Sequence, residues 1–212
     1  MQLYNYLRSS AAYRVRIALA LKGLSAELLN VHLVRNEQLA EGFAAIAPSK
    51  LVPLLVDDDR LIAQSMAIIE YLDEVYPTPS LLPGDAAARA RIRALAQDMA
   101  CEIHPLNNLR VLRYLVREMK VGDDDKNRWY RHWVESGLEA FERRLAADAA
   151  TGRFCHGDSP TLADCVLVPQ IHNAQRLDCR LDAVPTVMRV FAECMRLDAF
   201  AKTQPSVCPD AS

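Results

Sequence analysis

The apolar pattern of the chain predicts an α+β N-terminal domain followed by an all-α C-terminal domain. Three observations carry this prediction. Short strand-like runs alternate with helical ones through residues 1–76. Pro77, Pro79, Pro83 and Gly84 then crowd into a short stretch, which marks 77–85 as a linker. From residue 86 onward strand signals nearly vanish and helical periodicity dominates, so 86–212 is expected to be helical.

Taken in order, residues 3–7 alternate as a strand does. After Arg8-Ser9-Ser10, the residues Val15, Ile17, Ala18, Leu19 and Leu21 mark a helix that Gly23 closes. A second strand is expected over 28–33, and a polar, weakly patterned stretch then runs to Pro48, ahead of a strand over 51–56. Asp57-Asp58-Asp59 signals a turn and 60–63 completes a hairpin. Ser65 opens a helical pattern through Ala67, Ile68, Ile69, Tyr71 and Leu72. The order βαβ then ββα describes a small mixed sheet covered by helices, a thioredoxin-like layout that alone fixes no function. In the second part, helical patterns run over about 86–120 with an interruption at Pro105, then 124–145, 161–177 and 185–195. Thr161-Leu162-Ala163-Asp164 has the form of a capping box with Asp in place of Glu, a folding signal. Trp129 and Trp133, four apart, are read as helix packing.

The totals exclude several function classes. The chain has 212 residues, 51% of them hydrophobic, which suffices for a real core and argues against disorder. A formal charge of -2 supplies no basic field for nucleic acid. The six cysteines form no CxxC pair and no zinc-ligand spacing, so no metal site is expected and the thiols are read as reduced and cytosolic. No run of about 18 apolar residues suggests a membrane span, and the first residues lack the features of a secretory signal. A cytoplasmic protein is the expectation.

Three segments of the first third describe a pocket for a small peptide thiol. A residue held before a cis-proline, as Val52 would be before Pro53, presents its backbone to an extended peptide. Ser65 stands at a helix start, where a hydroxyl and unpaired N-H groups suit a carboxylate. Ser9 then remains to meet the sulfur, or else serves as a plain helix cap. Similarly, Gln64-Ser65 is either part of this pocket or an ordinary start to a helix.

Ser9-Ser10-Ala11-Ala12-Tyr13-Arg14-Val15-Arg16-Ile17-Ala18-Leu19 resembles the signature of zeta-class glutathione transferases, a class that includes maleylacetoacetate and maleylpyruvate isomerases. The resemblance continues through Leu51-Val52-Pro53, Gln64-Ser65, Ile103-His104-Pro105-Leu106-Asn107-Asn108-Leu109 and Thr161-Leu162-Ala163-Asp164, and covers nearly the whole chain. It implies the glutathione transferase architecture, glutathione as cofactor and a homodimer formed across the long helices. It also implies Ser9 and Ser10 as catalytic residues, with Ser9, Lys50, Val52, Pro53, Gln64, Ser65, His104 and Asn108 around glutathione. Arg8, Arg110 and Arg176 are the implied ligands of a small dicarboxylate substrate, because guanidinium groups pair with planar carboxylates. His104 and Asn108 are expected to share a helical face disturbed by Pro105.

The class signature usually has Cys after its two serines, and this chain has Ala11. The chemistry therefore falls to Ser9 and the adjoining helix terminus, both of which favour thiolate over thiol. Lowering a thiol pKa by ~2 units from ~8.5 raises its ionised fraction at pH 7 about 25-fold and requires ~2.7 kcal/mol. The expected activity is glutathione-dependent cis-trans isomerisation of a maleyl keto-acid in aromatic catabolism such as tyrosine degradation. The alternatives are a transferase that conjugates small electrophiles such as α-halo acids, and a non-catalytic binding module on the same fold.

Overall fold

The structure, a computed structural model, describes residues 1–208. They divide into two compact units: Met1–Leu82 together with the stretch from Met195 onward, and Pro83–Cys194.

The first unit is built on a four-stranded sheet of β1 (Gln2–Asn5), β2 (Glu27–Asn30), β3 (Leu54–Asp57) and β4 (Arg60–Ala63), in the order β2-β1-β3-β4. β1 pairs parallel with β2 and antiparallel with β3, and β3 pairs antiparallel with β4. Leu3, Leu54 and Leu55 are buried at its centre. The parallel β1-β2 pair needs a crossover, and α1 (Ser10–Leu21) supplies it. α1 packs against α3 (Ser65–Val75) and against the short α9 (Asp198–Ala201). The expected βαβ-ββα order is present.

Two differences from the sequence expectation have simple causes. β2 stops at Asn30 because its partner β1 ends at Asn5, and the chain turns away once the Val31 N-H donates to the Asn5 carbonyl at 2.7 Å. The polar stretch before Pro48 conceals α2 (Glu41–Ile46), whose single buried residue, Phe43, packs with Tyr6, Val31, Ala47, Val52 and Leu54. Six residues with one inward side chain show no helical period.

The predicted linker is only partly a tether. The Lys22 ammonium at the end of α1 donates to Asp73 Oδ1 at 2.7 Å and to the carbonyls of Tyr76 and Pro79 at 2.7 and 2.8 Å. Asp73 also accepts from the Leu81 N-H and the Ser80 hydroxyl, so the chain through Leu82 is fastened to α1 and α3. The stretch from Met195, expected in the helical part, clusters instead with the first unit. There the Tyr13 hydroxyl donates to the Phe200 carbonyl and Arg16 Nε to the Thr203 carbonyl, each at 3.1 Å.

The second unit is helical. It contains α4 (Ala86–Gln97), a π-helical stretch (Asp98–Ile103), a 3-10 turn (Pro105–Asn107), α5 (Leu109–Arg117), α6 (Asp123–Ala147), α7 (Leu162–Arg176) and α8 (Pro185–Met195), whose last residue lies at the boundary. α7 is its core, buried without interruption from Leu162 to Ile171 and packed on α4. The capping box forms as the sequence predicts: the Thr161 N-H and hydroxyl both donate to Asp164 Oδ2 at 2.8 Å. Among the described residues no helix is long and apolar enough to cross a membrane.

Candidate functional site

The sheet register gathers the three predicted segments. Tyr4 of β1 pairs with Leu54 of β3, and Leu54 pairs with Ala63 of β4. The chain leaving β1 toward Ser9, the chain entering β3 through Val52-Pro53, and the chain leaving β4 at Gln64-Ser65 therefore lie at one end of the sheet. Strands about 4.8 Å apart place Tyr4 and Ala63 within about 10 Å across that edge.

Ser9 caps α1. Its Oγ accepts from the Ala12 N-H at 3.2 Å, while its own N-H donates to the Tyr6 carbonyl at 2.9 Å. This use leaves the hydroxyl proton available, because a hydroxyl is both donor and acceptor. Capping and sulfur binding are thus compatible at Ser9. Ser10 is the first residue of α1 and is buried, and Arg8 is exposed beside them.

The Val52-Pro53 peptide is cis, and both residues are buried. Val52 lies just outside the β3 ladder and takes no part in the backbone hydrogen bonds of the described turns and loops. Its N-H and C=O suit an added extended peptide. Lys50, exposed, adopts φ 55°, and Gln64, also exposed, adopts φ 72° at the start of α3. Non-glycine residues held there cost about 1–3 kcal/mol each and concentrate at functional sites.

Ser65 opens α3 without serving as its cap. The capping position belongs to Gln64, whose side chain makes no cap bond, and Ser65 is the first helical residue. The buried Ser65 hydroxyl accepts from Arg14 Nη1 at 3.2 Å. The anion-binding feature at this point is thus the first turn of α3, with Arg14 behind it. Arg14 was not among the predicted site residues; an arginine on the largely apolar run of α1 was the available signal.

In the second unit, His104 and Asn108 come together but not on one continuous helix. Asn108 is extended (φ -63°, ψ 145°) and caps α5, its Oδ1 accepting from the Arg110 N-H at 3.0 Å. Its Nδ2 still reaches His104 Nε2 at 3.4 Å because the 3-10 turn at Pro105 folds the chain back. Trp129 Nε1 donates to the Leu106 carbonyl at 2.9 Å and Asn107 Nδ2 to the Tyr130 carbonyl at 3.4 Å, so α6 holds this turn. Trp129 and Trp133 also pack edge to face at 5.7 Å, as the spacing predicts. Arg110 is exposed on α5. Arg176, exposed at the end of α7, acts electrostatically on Tyr130. Burial pushes that phenol up to about 12, and the Arg176 charge partly offsets the rise, so the hydroxyl remains protonated at neutral pH.

Residues 1–74 match the family model "Glutathione S-transferase, N-terminal domain" and residues 127–188 match "Glutathione S-transferase, C-terminal domain". The chain is 48% identical to a Vibrio cholerae protein named a probable maleylacetoacetate isomerase, over 99% of this chain and 97% of that one. It superposes with TM-score 0.98 on a solved maleyl pyruvate isomerase described as a bacterial zeta-class glutathione S-transferase, with 46% identity and full coverage of both chains. The chain belongs to the zeta class of glutathione S-transferases. A second solved structure, a maleylacetoacetate isomerase from Methylobacterium extorquens AM1 with bound malonate and glutathione, aligns with TM-score 0.96 and 38% identity over 99% of this chain and 98% of that one. In this zeta-class chain the thioredoxin-like sheet and the helical part are the two family domains, and the segments that meet at the sheet edge are those expected from the signature.

Proposed function

We propose that this zeta-class enzyme isomerises a maleyl keto-acid, maleylacetoacetate or maleylpyruvate, from cis to trans with glutathione as cofactor. One observation supports the reading above the others: Ser9, the backbone of Val52 and the start of α3 converge on one sheet edge with sulfur-, peptide- and carboxylate-binding chemistry in hand. When bound, glutathione supplies a thiolate that adds reversibly to the carbon-carbon double bond and permits rotation about it.

The residues of the chain bind and orient. Val52 offers its N-H and C=O to the peptide backbone, and the first turn of α3 at Gln64-Ser65 takes a carboxylate, with Lys50 as a further cation. Ser9 donates a hydrogen bond from its hydroxyl to the thiolate sulfur while the N-terminus of α1 adds a positive dipole end. Ser10 supports that turn from within α1. The class resemblance assigns Arg8, Arg110 and Arg176 to the substrate carboxylates, where guanidinium groups would oppose the charge that develops, and His104 and Asn108 to polar contacts with glutathione. Ala11 removes the usual cysteine, so the thiol chemistry rests on Ser9 and the helix end. The reading extends to a cytoplasmic homodimer serving aromatic catabolism. The exposed apolar side chains of Leu109, Tyr114 and Val116 on α5 support an assembly face.

The test is the loss of maleylacetoacetate absorbance on a purified sample with and without glutathione, repeated with maleylpyruvate. Turnover that needs glutathione and consumes none is expected. Net thiol loss with an α-halo acid, and no isomerisation of either maleyl compound, would establish the conjugating transferase instead.

A further inference from the structure

Arg16 is a buried cation that pairs with no carboxylate among the described residues. It is 4% exposed, yet its guanidinium donates to Asn5 Oδ1 at 2.6 Å, to the Leu7 carbonyl at 3.1 Å and to the Thr203 carbonyl at 3.1 Å, all neutral acceptors. Its remaining close neighbour is the Tyr13 ring, 5.1 Å from Cζ. Burial lowers its pKa, and among the described residues Cys208 and Tyr13 act in the opposite direction. The other cation on α1, Arg14, faces the start of α3 through Ser65.

Fully buried arginines are rare unless paired, and an unneutralised one costs stability. Here an aspartate in place of Asn5 would neutralise it at almost no change in shape. The position instead holds a fully buried asparagine whose Nδ2 finds no hydrogen-bond partner among the described residues. Two local costs are therefore tolerated where β1 gives way to the Ser9 loop. Such departures from polar satisfaction are expected at functional sites.

The acceptors say where the charge acts. Asn5 ends β1, and Leu7 lies two residues before Ser9, so the guanidinium is anchored under the loop that presents the Ser9 hydroxyl. In a region of low polarity its field is poorly screened. We infer that Arg16 is a positioning residue that holds the Ser9 loop and, through a charge that no carboxylate among the described residues pairs with, favours the thiolate form of the thiol bound there. This rests on the proposed glutathione site, and Asn5 acts as an acceptor chosen for carrying no charge.

The experiment reads the pKa of glutathione's thiol in the complex from the pH dependence of thiolate ultraviolet absorbance, alongside thermal unfolding. It compares wild type, Asn5→Asp, Arg16→Lys and Arg16→Met. Asn5→Asp keeps the hydrogen bond and neutralises the charge. It is expected to raise the bound thiol pKa by about one unit, a roughly tenfold loss of thiolate near pH 7, without lowering the unfolding temperature. Arg16→Met raises the pKa as well and also destabilises the fold, whereas Arg16→Lys, which keeps the charge, stays nearer wild type. A folded Asn5→Asp protein with an unchanged thiol pKa overturns the inference. If Asn5→Asp does not fold, equal thiol pKa values in Arg16→Lys and Arg16→Met overturn it. A wild type that binds no glutathione would instead remove the proposed site, and this inference with it. A lowered thiol pKa in wild type that none of the variants changes removes only the role of Arg16.

Discussion

Replacing Lys22 by methionine should be among the most destabilising single changes in the first unit. The ammonium, fully inaccessible, spends its three N-H groups on Asp73 Oδ1 and the carbonyls of Tyr76 and Pro79. Methionine fills the space of the stem but leaves Asp73, itself 8% exposed, with only the Leu81 N-H and the Ser80 hydroxyl. Removing one partner of a buried ion pair costs about 3–5 kcal/mol, mostly because the other charge stays buried. For a chain of this size each kcal/mol moves the unfolding temperature by about 2–4 °C, so a fall of roughly 6–20 °C is expected. Circular dichroism during heating, with urea unfolding as a second probe, measures it. Adding Asp73→Asn to Lys22→Met removes the stranded charge and keeps an acceptor for Leu81, and should recover at least ~1 kcal/mol. A shift smaller than ~3 °C for Lys22→Met, or no recovery in the double variant, would refute the reasoning.

Ser9→Ala should lower kcat/KM by about tenfold or more, the equivalent of ~1.4 kcal/mol of lost thiolate stabilisation; an unchanged value would shift the role to Ser10 or the helix end. Glu142 accepts the Thr186 and Val187 N-H groups at 3.1 and 2.9 Å and so caps α8 from α6. Glu142→Ala should cost about 1–2 kcal/mol in urea unfolding, and Glu142→Gln less, because one oxygen remains. Gly137 on α6 faces Ile103 so closely that an added Cβ would overlap the Ile103 side chain. Gly137→Ala should therefore destabilise by about 1–3 kcal/mol, measured by urea unfolding. Burial raises the Asp164 pKa above the ordinary carboxylate value, against the hydrogen bonds from Cys155 and Thr161 that lower it. A carboxyl raised in the fold contributes stability that is complete below about pH 4 and is lost as pH rises through its folded value. Wild type should thus show a steeper loss of stability over that rise than Asp164→Asn, and equal slopes would refute this.

The order of strands and helices in the first unit, the capping box and the Trp129-Trp133 contact are readable from residue periodicity, because each depends on neighbours a few positions away. The Ser9, Val52-Pro53 and Gln64-Ser65 segments are readable too, since their chemistry is written in residue type. Their meeting is a different matter. It depends on the pairing Tyr4 with Leu54 and Leu54 with Ala63, a register between strands some fifty residues apart. Other features were likewise settled only in three dimensions. Lys22 reads as a surface lysine near a helix end, and only folding brings Asp73 and two carbonyls around it. Asn108 has the spacing of a helical partner for His104, yet it caps α5 after the turn at Pro105. Sequence alone determined the class of chemistry and the local elements, because side-chain type and short-range period specify them. The tertiary structure decided which polar groups are buried and what faces them, because burial and hydrogen-bond partners arise from contacts between distant parts of the chain.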